Sequence, residues 1–461
     1  MWIIRLFTKS VNTILLLSFT LLNGEDRPPN IILLFADDAG YGDFGFQGSQ
    51  NFDTPNLDKL AQQSIIFKQA YTSAAVCGPS RAGLITGRYQ QKFGVEENNV
   101  PSYMSPAGLT GEDMGLPLDQ LTIADHLKSI GYKNIYLGKW HLGGADRYHP
   151  LKRGFDEFYG FRGGARSYWP YDNPPKDPLR KLERNYKNFE EHDGYLTTVL
   201  ADEAIVSMER NKNDPFFMFV SFNAVHTPMD YLEEDLPPKN KIQDENRRQL
   251  YAMTKSMDRA CGRILDKLKG LGLSDNTLVI FTNDNGGAWI NYSSNGSLSG
   301  VKGTHLEGGI RVPFLLSMGD RFGEGNNFNY PISTLDLLPT FVDIAGGDVK
   351  SLKDIDGKSL IPYLEGKKGR PHQTLYWKKE TRAAIRDGDW KLIRLPDRPA
   401  LLYNLAKDET EEKDLAKRYP KKVEDLYKKL FAWEITLKRS LWMTKRQNSK
   451  RAMDTFDKYK N

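Results

Sequence analysis

Four short apolar runs, far apart along the chain, each end in a cluster of polar residues, and this pattern restricts the fold more than any other feature. Ile31 to Phe35 leads into Asp37 and Asp38, Asn134 to Leu137 into Lys139 and His141, Phe216 to Val220 through Asn223 to His226, and Leu278 to Phe281 into Asp284 and Asn285. Runs this short and apolar read as buried strands, and the crevice beyond their carboxyl ends is where open α/β sheets bind ligands. Helical periodicity fills the intervals at 56–64, 122–130, 196–210 and 247–271. The alternation predicts an α/β domain built on a large, mostly parallel sheet flanked by helices. From about Thr374 the pattern changes to short strands at 375–377, 383–386 and 390–393, followed by a charged helix over 420–438. This reads as a smaller antiparallel sheet with a helix. At 461 residues and 39% hydrophobic content the chain is too long for one compact unit. The expected division is a leader at 1–24, the α/β domain at 25–370 and a C-terminal α+β subdomain with a basic tail at 371–461. The break falls where glycine, proline and charge cluster, from Gly366 to Pro371.

Arg5 and Lys9 precede an apolar stretch from Ile14 to Leu22, the layout of a secretory signal peptide. The stretch is too short to span a bilayer, and an uncleaved anchor is the alternative reading. Export to a periplasmic or extracellular space is expected, with no stable membrane insertion after cleavage. Only two cysteines occur, Cys77 and Cys261. Cys261 lies in a helical segment and reads as a small buried residue, so no structural disulfide is expected. The net charge of +5 is modest but would help gather an anionic polymer; no nucleic-acid partner is expected. The tail from Lys438 to Lys460 carries much of that excess and reads as a solvated helical face in preference to a polyanion contact.

Cys77 opens the segment Cys77-Gly78-Pro79-Ser80-Arg81, which continues to Thr86 and Gly87. Proline in a first helical turn places the cysteine at a helix start, where free amides and the dipole attract negative charge. Arg81 follows one turn later with a fork suited to sulfate or phosphate. The stretch from Ala75 to Gly87 resembles the first signature of the type I, formylglycine-dependent sulfatases, arylsulfatase-like members of the alkaline phosphatase superfamily. In that family the cysteine is oxidised to formylglycine by a dedicated maturase, so a formylglycine-generating enzyme or its equivalent is implied as a partner.

Asp37, Asp38, Asp284 and Asn285 offer only oxygen donors, which suits a hard divalent cation, calcium before magnesium. Taken alone, an aspartate pair is more often a turn or cap. The resemblance implies one Ca2+ held by these four residues together with the formylglycine at Cys77. Gly131 to His141 resembles the second sulfatase signature, with Asn134 and Leu137 departing from the usual residues. Lys139 and His141 there, His226 in Asn223-Ala224-Val225-His226, and Lys302 in a glycine-rich run to Pro313 are similar to the family's remaining sulfate-site residues. Glu307 and Arg311 in that run serve either the loop or the substrate.

The resemblance implies that hydrated formylglycine attacks sulfur while Arg81, Lys139 and Lys302 hold the sulfate oxygens. His226 would protonate the leaving oxygen, and His141 would draw the proton whose loss expels sulfate. The run Phe161 to Tyr171 combines glycines, arginines and aromatics. Arg166 and Trp169 there, with His149 and His305, are candidates to contact the organic part of the substrate, packing on the C-terminal subdomain being the competing reading. A sulfated polysaccharide or oligosaccharide is the expected substrate. Two alternatives stay open: a phosphodiester or phosphonate monoester hydrolase of the same superfamily, and an inactive polyanion-binding protein.

Overall fold

Each of the four apolar runs is a strand in the computed structural model, which describes residues 27–461 apart from 101–103, 106, 174, 324 and 445, with the backbone alone at 446–449. The expected signal peptide lies outside the described residues. Five strands run parallel in the order Thr277–Asn283, Asn30–Ala36, Phe216–Ser221, Lys133–Lys139 and Glu157–Phe161. Alternation along them sorts the side chains cleanly. Ile31, Leu33 and Phe35 enter the core on one face of the sheet, and Ile32, Leu34 and Ala36 the core on the other. A strand covered on both faces has no polar side to show, which is why these segments read as unbroken apolar runs. Each fully buried Leu or Ile stabilises the fold by about 1.5–3 kcal/mol.

Short strands extend the sheet to ten among the described residues. Leu315–Ser317, Ile65–Phe67 and Asn327–Phe328 follow on one side, the last pairing parallel with its neighbour, and Glu183–Arg184 with Asn188–Phe189 on the other. Segments of two or three residues carry too little periodicity to be seen in the sequence. Of the helices, Ile123–Ser129 starts on a capping box between Thr122 and Asp125, and Glu245–Gly270 starts with Asp244 accepting from the Arg247 amide. Cys261, on the second, belongs to the core on one face of the sheet, whereas the Cys77–Thr86 helix packs into the core on the other. Both thiols are free.

The C-terminal sheet has four antiparallel strands, Thr374–Lys379, Arg382–Asp387, Trp390–Leu395 and Arg398–Asn404, covered by the Pro420–Glu434 helix. The fourth escapes the sequence pattern because Pro399 stands near its start. The basic tail is not a freely solvated face. Its helix, Arg446–Tyr459, buries Met453 and Phe456 where the C-terminal sheet meets Tyr71, Leu306 and Ile310, and the Tyr459 carbonyl accepts from the Gly300 amide at 2.7 Å. Among the described residues, no helix is long and apolar enough to cross a membrane.

Candidate active site

Strand register assembles the centre. Ala36 pairs with Asn283, and Phe35 and Gly138 both pair with Ser221, so the strands end level and Asp37, Asp284 and Lys139 emerge side by side. Asp38 adopts a left-handed conformation at φ 61°, costly for a residue with a Cβ. It is held there: its amide reaches Asp284 Oδ1 at 3.3 Å, and its carbonyl accepts from Ser293 Oγ at 2.9 Å and Asn291 Nδ2 at 3.2 Å. Cys77 is the first residue of a helix buried along its whole length. The next amide, of Gly78, donates to Asn98 Oδ1 at 2.8 Å, so one of the orphan donors expected to face an anion already has a partner.

Three carboxylates meet three cations. Arg81 places Nε and Nη2 on Asp284 Oδ2 at 3.1 and 3.0 Å, and Nη1 on Ser221 Oγ at 2.6 Å and the Lys139 carbonyl at 3.0 Å. The sequence offered this fork to an anion; the structure spends it on Asp284, with Asp37 3.8 Å away, so Arg81 orients carboxylates. Lys139, fully buried, pairs with Asp37. Lys302 Nζ straddles Asp38, 2.6 Å from Oδ1 and 2.7 Å from Oδ2. Asn285 Nδ2 donates to Asp38 Oδ1 at 2.8 Å, and Cys77 Sγ lies 3.9 Å from that same oxygen. Potential ligand atoms of Asp37, Asp38, Cys77 and His226 all fall within 4.8 Å of one another.

Unmet valence at the strand ends leaves room for a cation. Asp37 Oδ1 and Asn285 Oδ1 are buried acceptors with no donor. Such atoms are rare, and an all-oxygen set around them fits a hard divalent ion. Burial, with Asp284 and Asp38 close by, pushes the Asp37 carboxyl up to about 8 against the pull of Lys139 and Arg81. Asp38 is instead held well below the usual carboxylate range, because Lys302 and His226 outweigh its burial. Burial lifts the Cys77 thiol to about 12, which leaves the unmodified side chain neutral.

The two histidines differ in proton arrangement. His226 Nδ1 is 2.7 Å from the Thr227 carbonyl, which only accepts, so Nδ1 carries a proton and Nε2 faces Asp38 Oδ2 at 3.5 Å. Burial lowers His226 to about 4, with Lys302 and Lys139 adding to the effect. His141 is lowered well below its usual value by burial and by Lys139, Arg81 and Lys302, and its buried Nδ1 has no partner. A Cβ on Gly164 would fall 2.6 Å from His141 Nε2, so only glycine lets the loop approach this ring.

The nominated substrate residues scatter. Trp169 is exposed at the surface beside Tyr195. Arg166 is buried, with Nη2 2.6 Å from Glu191 and Nη1 unpartnered. His149 does not line the site: it is fully buried, its Nδ1 accepts from the Leu151 amide at 3.1 Å, and its ring packs edge-on to Phe158. His305 is buried among cations of the C-terminal sheet, Arg382 the first of them. Two site residues went unnoticed in the sequence, and a third, Tyr168, lay in the run read as a substrate loop. Ser221 orients Arg81, Asn98 caps Gly78, and Tyr168 donates to the Asn223 and His226 carbonyls at 2.6 and 2.8 Å, tying the His226 turn to the glycine loop. Nothing but proximity in the fold distinguishes a lone Ser, Asn or Tyr of this kind.

Fold and site are those of an α/β enzyme with a candidate metal centre beside a cysteine at the carboxyl ends of its parallel strands. Residues 29–347 match the Sulfatase family, and residues 302–436 match the N-sulphoglucosamine sulphohydrolase C-terminal family. Mouse N-acetylgalactosamine-6-sulfatase is 31% identical over 386 residues, covering 80% of this chain and 72% of that protein. The crystal structure of Ps i-CgsB in complex with k-i-k-neocarrahexaose superposes with a TM-score of 0.85 at 34% identity, covering 94% of this chain and 99% of the other. The phosphonate monoester hydrolase of Agrobacterium radiobacter, at 21% identity and TM-score 0.62 over 87% and 96% of the two chains, shares the fold alone. The chain belongs to the type I sulfatase family and is a sulfuric ester hydrolase.

Proposed function

We propose that this sulfatase removes sulfate from a sulfated glycan after export, using a formylglycine made from Cys77 and one calcium ion held by Asp37, Asp38, Asp284 and Asn285. The observation that carries the reading is the pair of unpartnered buried oxygens, Asp37 Oδ1 and Asn285 Oδ1, beside a cysteine 3.9 Å from Asp38. Carboxylates and cations balance three against three, so a divalent ion would turn the centre positive and suit it to an anionic ester. The ion supplies charge stabilisation at the reacting oxygens, and the hydrated aldehyde supplies a nucleophilic hydroxyl plus a second hydroxyl for expelling sulfate.

The other roles fall to residues of this chain. Lys302 and Lys139, whose ammonium groups have more donors than Asp38 and Asp37 use, hold sulfate oxygens. Arg81 keeps Asp284 and Asp37 in place. His226, with Nδ1–H fixed on Thr227, presents Nε2 to the leaving oxygen. The negative charge of a bound ester opposes the cations that depress this ring, so the substrate itself raises His226 toward the protonated state a donor needs. His141, neutral and with a free nitrogen, is suited to take a proton. Both a relative named for N-acetylgalactosamine-6-sulfate chemistry and a neighbour solved with k-i-k-neocarrahexaose favour a carbohydrate substrate. Peptide mass spectrometry at Cys77, alongside assays with and without a calcium chelator, tests the proposal. An unmodified thiol in fully active, chelator-treated enzyme would refute it.

A further inference from the structure

Arg382 opens the second strand of the C-terminal sheet and is 7% exposed, yet among the described residues no carboxylate lies within ion-pair distance of it. Its one hydrogen bond runs from Nη1 to the Gly303 carbonyl at 2.9 Å. The nearest acids are engaged elsewhere: Glu97 by Lys379 at 2.8 Å, and Glu380 by Thr444 Oγ1 at 2.8 Å. Neighbouring cations have partners of their own, Lys391 with Glu307 and Glu411, Arg394 with Glu434. Beside them sits the buried His305. A buried guanidinium without an anion is costly, and Arg382 offsets that cost with a single carbonyl, whereas the equally acid-free Arg153 has three.

Its location says which anion. The Gly303 amide donates to the Ala75 carbonyl at 2.8 Å, two residues before Cys77, and Gly303 follows Lys302, the cation on Asp38. From the other side Asn98, next to Glu97, accepts from Gly78. The turn from Lys379 to Arg382 thus borders the start of the Cys77 helix. The N–H groups of Arg382 that Gly303 does not use are not among the buried unpartnered atoms, so they reach solvent at this rim.

We propose that Arg382 binds a second anionic group of the substrate, next to the ester being cleaved, which makes the preferred substrate a glycan with closely spaced negative charges. The planar fork suits a sulfate or carboxylate bidentately. This rests on the sulfatase reading and narrows its substrate class.

The test compares kcat/KM of the mature enzyme on a singly sulfated aryl ester, a multiply sulfated galactan oligosaccharide, and an oligosaccharide with one sulfate beside a uronate. In Arg382→Gln the ratio of oligosaccharide to aryl ester should fall about tenfold or more, through KM, and Arg382→Lys should recover part of it. A fall in the galactan arm identifies the second group as sulfate; a fall in the uronate arm identifies it as carboxylate. An unchanged ratio overturns the proposal, including the case where both activities drop together because Arg382 only supports Gly303 and Lys302. Calorimetric binding of the multiply sulfated oligosaccharide to Cys77→Ala protein, with and without Arg382→Gln, needs no turnover. Equal affinities would overturn the subsite, whereas absence of turnover in the unmutated enzyme bears on the sulfatase reading alone.

Discussion

Two clusters of buried charge among the described residues differ in how much they leave undone. At the strand ends, Asp37, Asp38 and Asp284 face Arg81, Lys139 and Lys302, yet Asp37 Oδ1, Asn285 Oδ1 and both amide atoms of Asn223 have no partner. Where the C-terminal sheet meets Glu307 and Tyr71, Lys391 lies 2.8 Å from Glu307 Oε1 and 2.9 Å from Glu411 Oε1, Tyr71 donates to Glu307 Oε2 at 2.6 Å, and the Glu307 amide donates to Glu411 Oε2 at 2.6 Å. The second cluster leaves one acceptor short, Glu411 Oε1, which has the Lys391 ammonium beside it but no hydrogen bond, and it joins the C-terminal sheet to the loop that carries Lys302. Buried charge alone therefore does not mark chemistry, nor does a single unfilled acceptor; several of them beside a cysteine and two histidines do.

The sharpest break between the clusters is Cys77→Ala. Loss of the proposed nucleophile should lower kcat by about 10⁴-fold or more, with the melting temperature essentially retained. Residual activity near that of the unmutated enzyme would dissolve the distinction. The reverse pattern is expected of Lys391→Met, which strands Glu307 and Glu411 without their shared cation. Urea unfolding should show a loss of about 3–5 kcal/mol, while kcat/KM per folded molecule moves little.

Calcium separates the clusters next. A hundredfold excess over Kd should stabilise the protein by about 2.7 kcal/mol if only the native state binds it. Asp37→Asn should abolish that gain in a thermal scan, and Lys391→Met should keep it; a gain surviving Asp37→Asn would remove the ion from this site.

Glu411 supplies a smaller, pH-dependent difference. Burial, reinforced by the Glu307 charge, raises it from 4.5 to about 7. Between those values the native protein keeps a proton that the unfolded chain has released, so stability falls as pH rises through this window. One proton limits the slope to about 1.4 kcal/mol per pH unit. Glu411→Gln should flatten it, and an unchanged slope would mean that other groups set the profile.

Much of this was legible beforehand for physical reasons. Parallel strands buried on both faces announce themselves as apolar runs, and residues placed at their carboxyl ends, such as Asp37, Lys139 and Asp284, must converge once the strands align in register. The Cys77 segment was readable because it resembles the first sulfatase signature, with the proline and arginine at that signature's fixed offsets. Partnership was not readable. Arg81 looks the same in sequence whether its fork meets sulfate or Asp284, and Arg382 gains interest only when its surroundings prove to lack an acid. Ser221, Asn98 and Tyr168 act through contacts made at long sequence separation, which no local pattern records.

His149 tests that last point with the smallest expected effect. Histidine near a predicted pocket invites a catalytic reading, but here the ring fills a packed site between Phe158 and Tyr186, at centroid distances of 5.1 and 5.3 Å, and its Nδ1 caps a short turn through the Leu151 amide. Removing a cap of this kind costs about 1 kcal/mol, and losing the buried ring adds a cavity term. His149→Ala should therefore lower the unfolding free energy by a few kcal/mol at most, with kcat/KM on a sulfated oligosaccharide staying within about twofold, since a ring with no path to the bound ester can alter only the fraction folded. A selective rise in KM with stability unchanged would return this residue to the substrate side and show that the glycan reaches further from Cys77 than the buried centre implies.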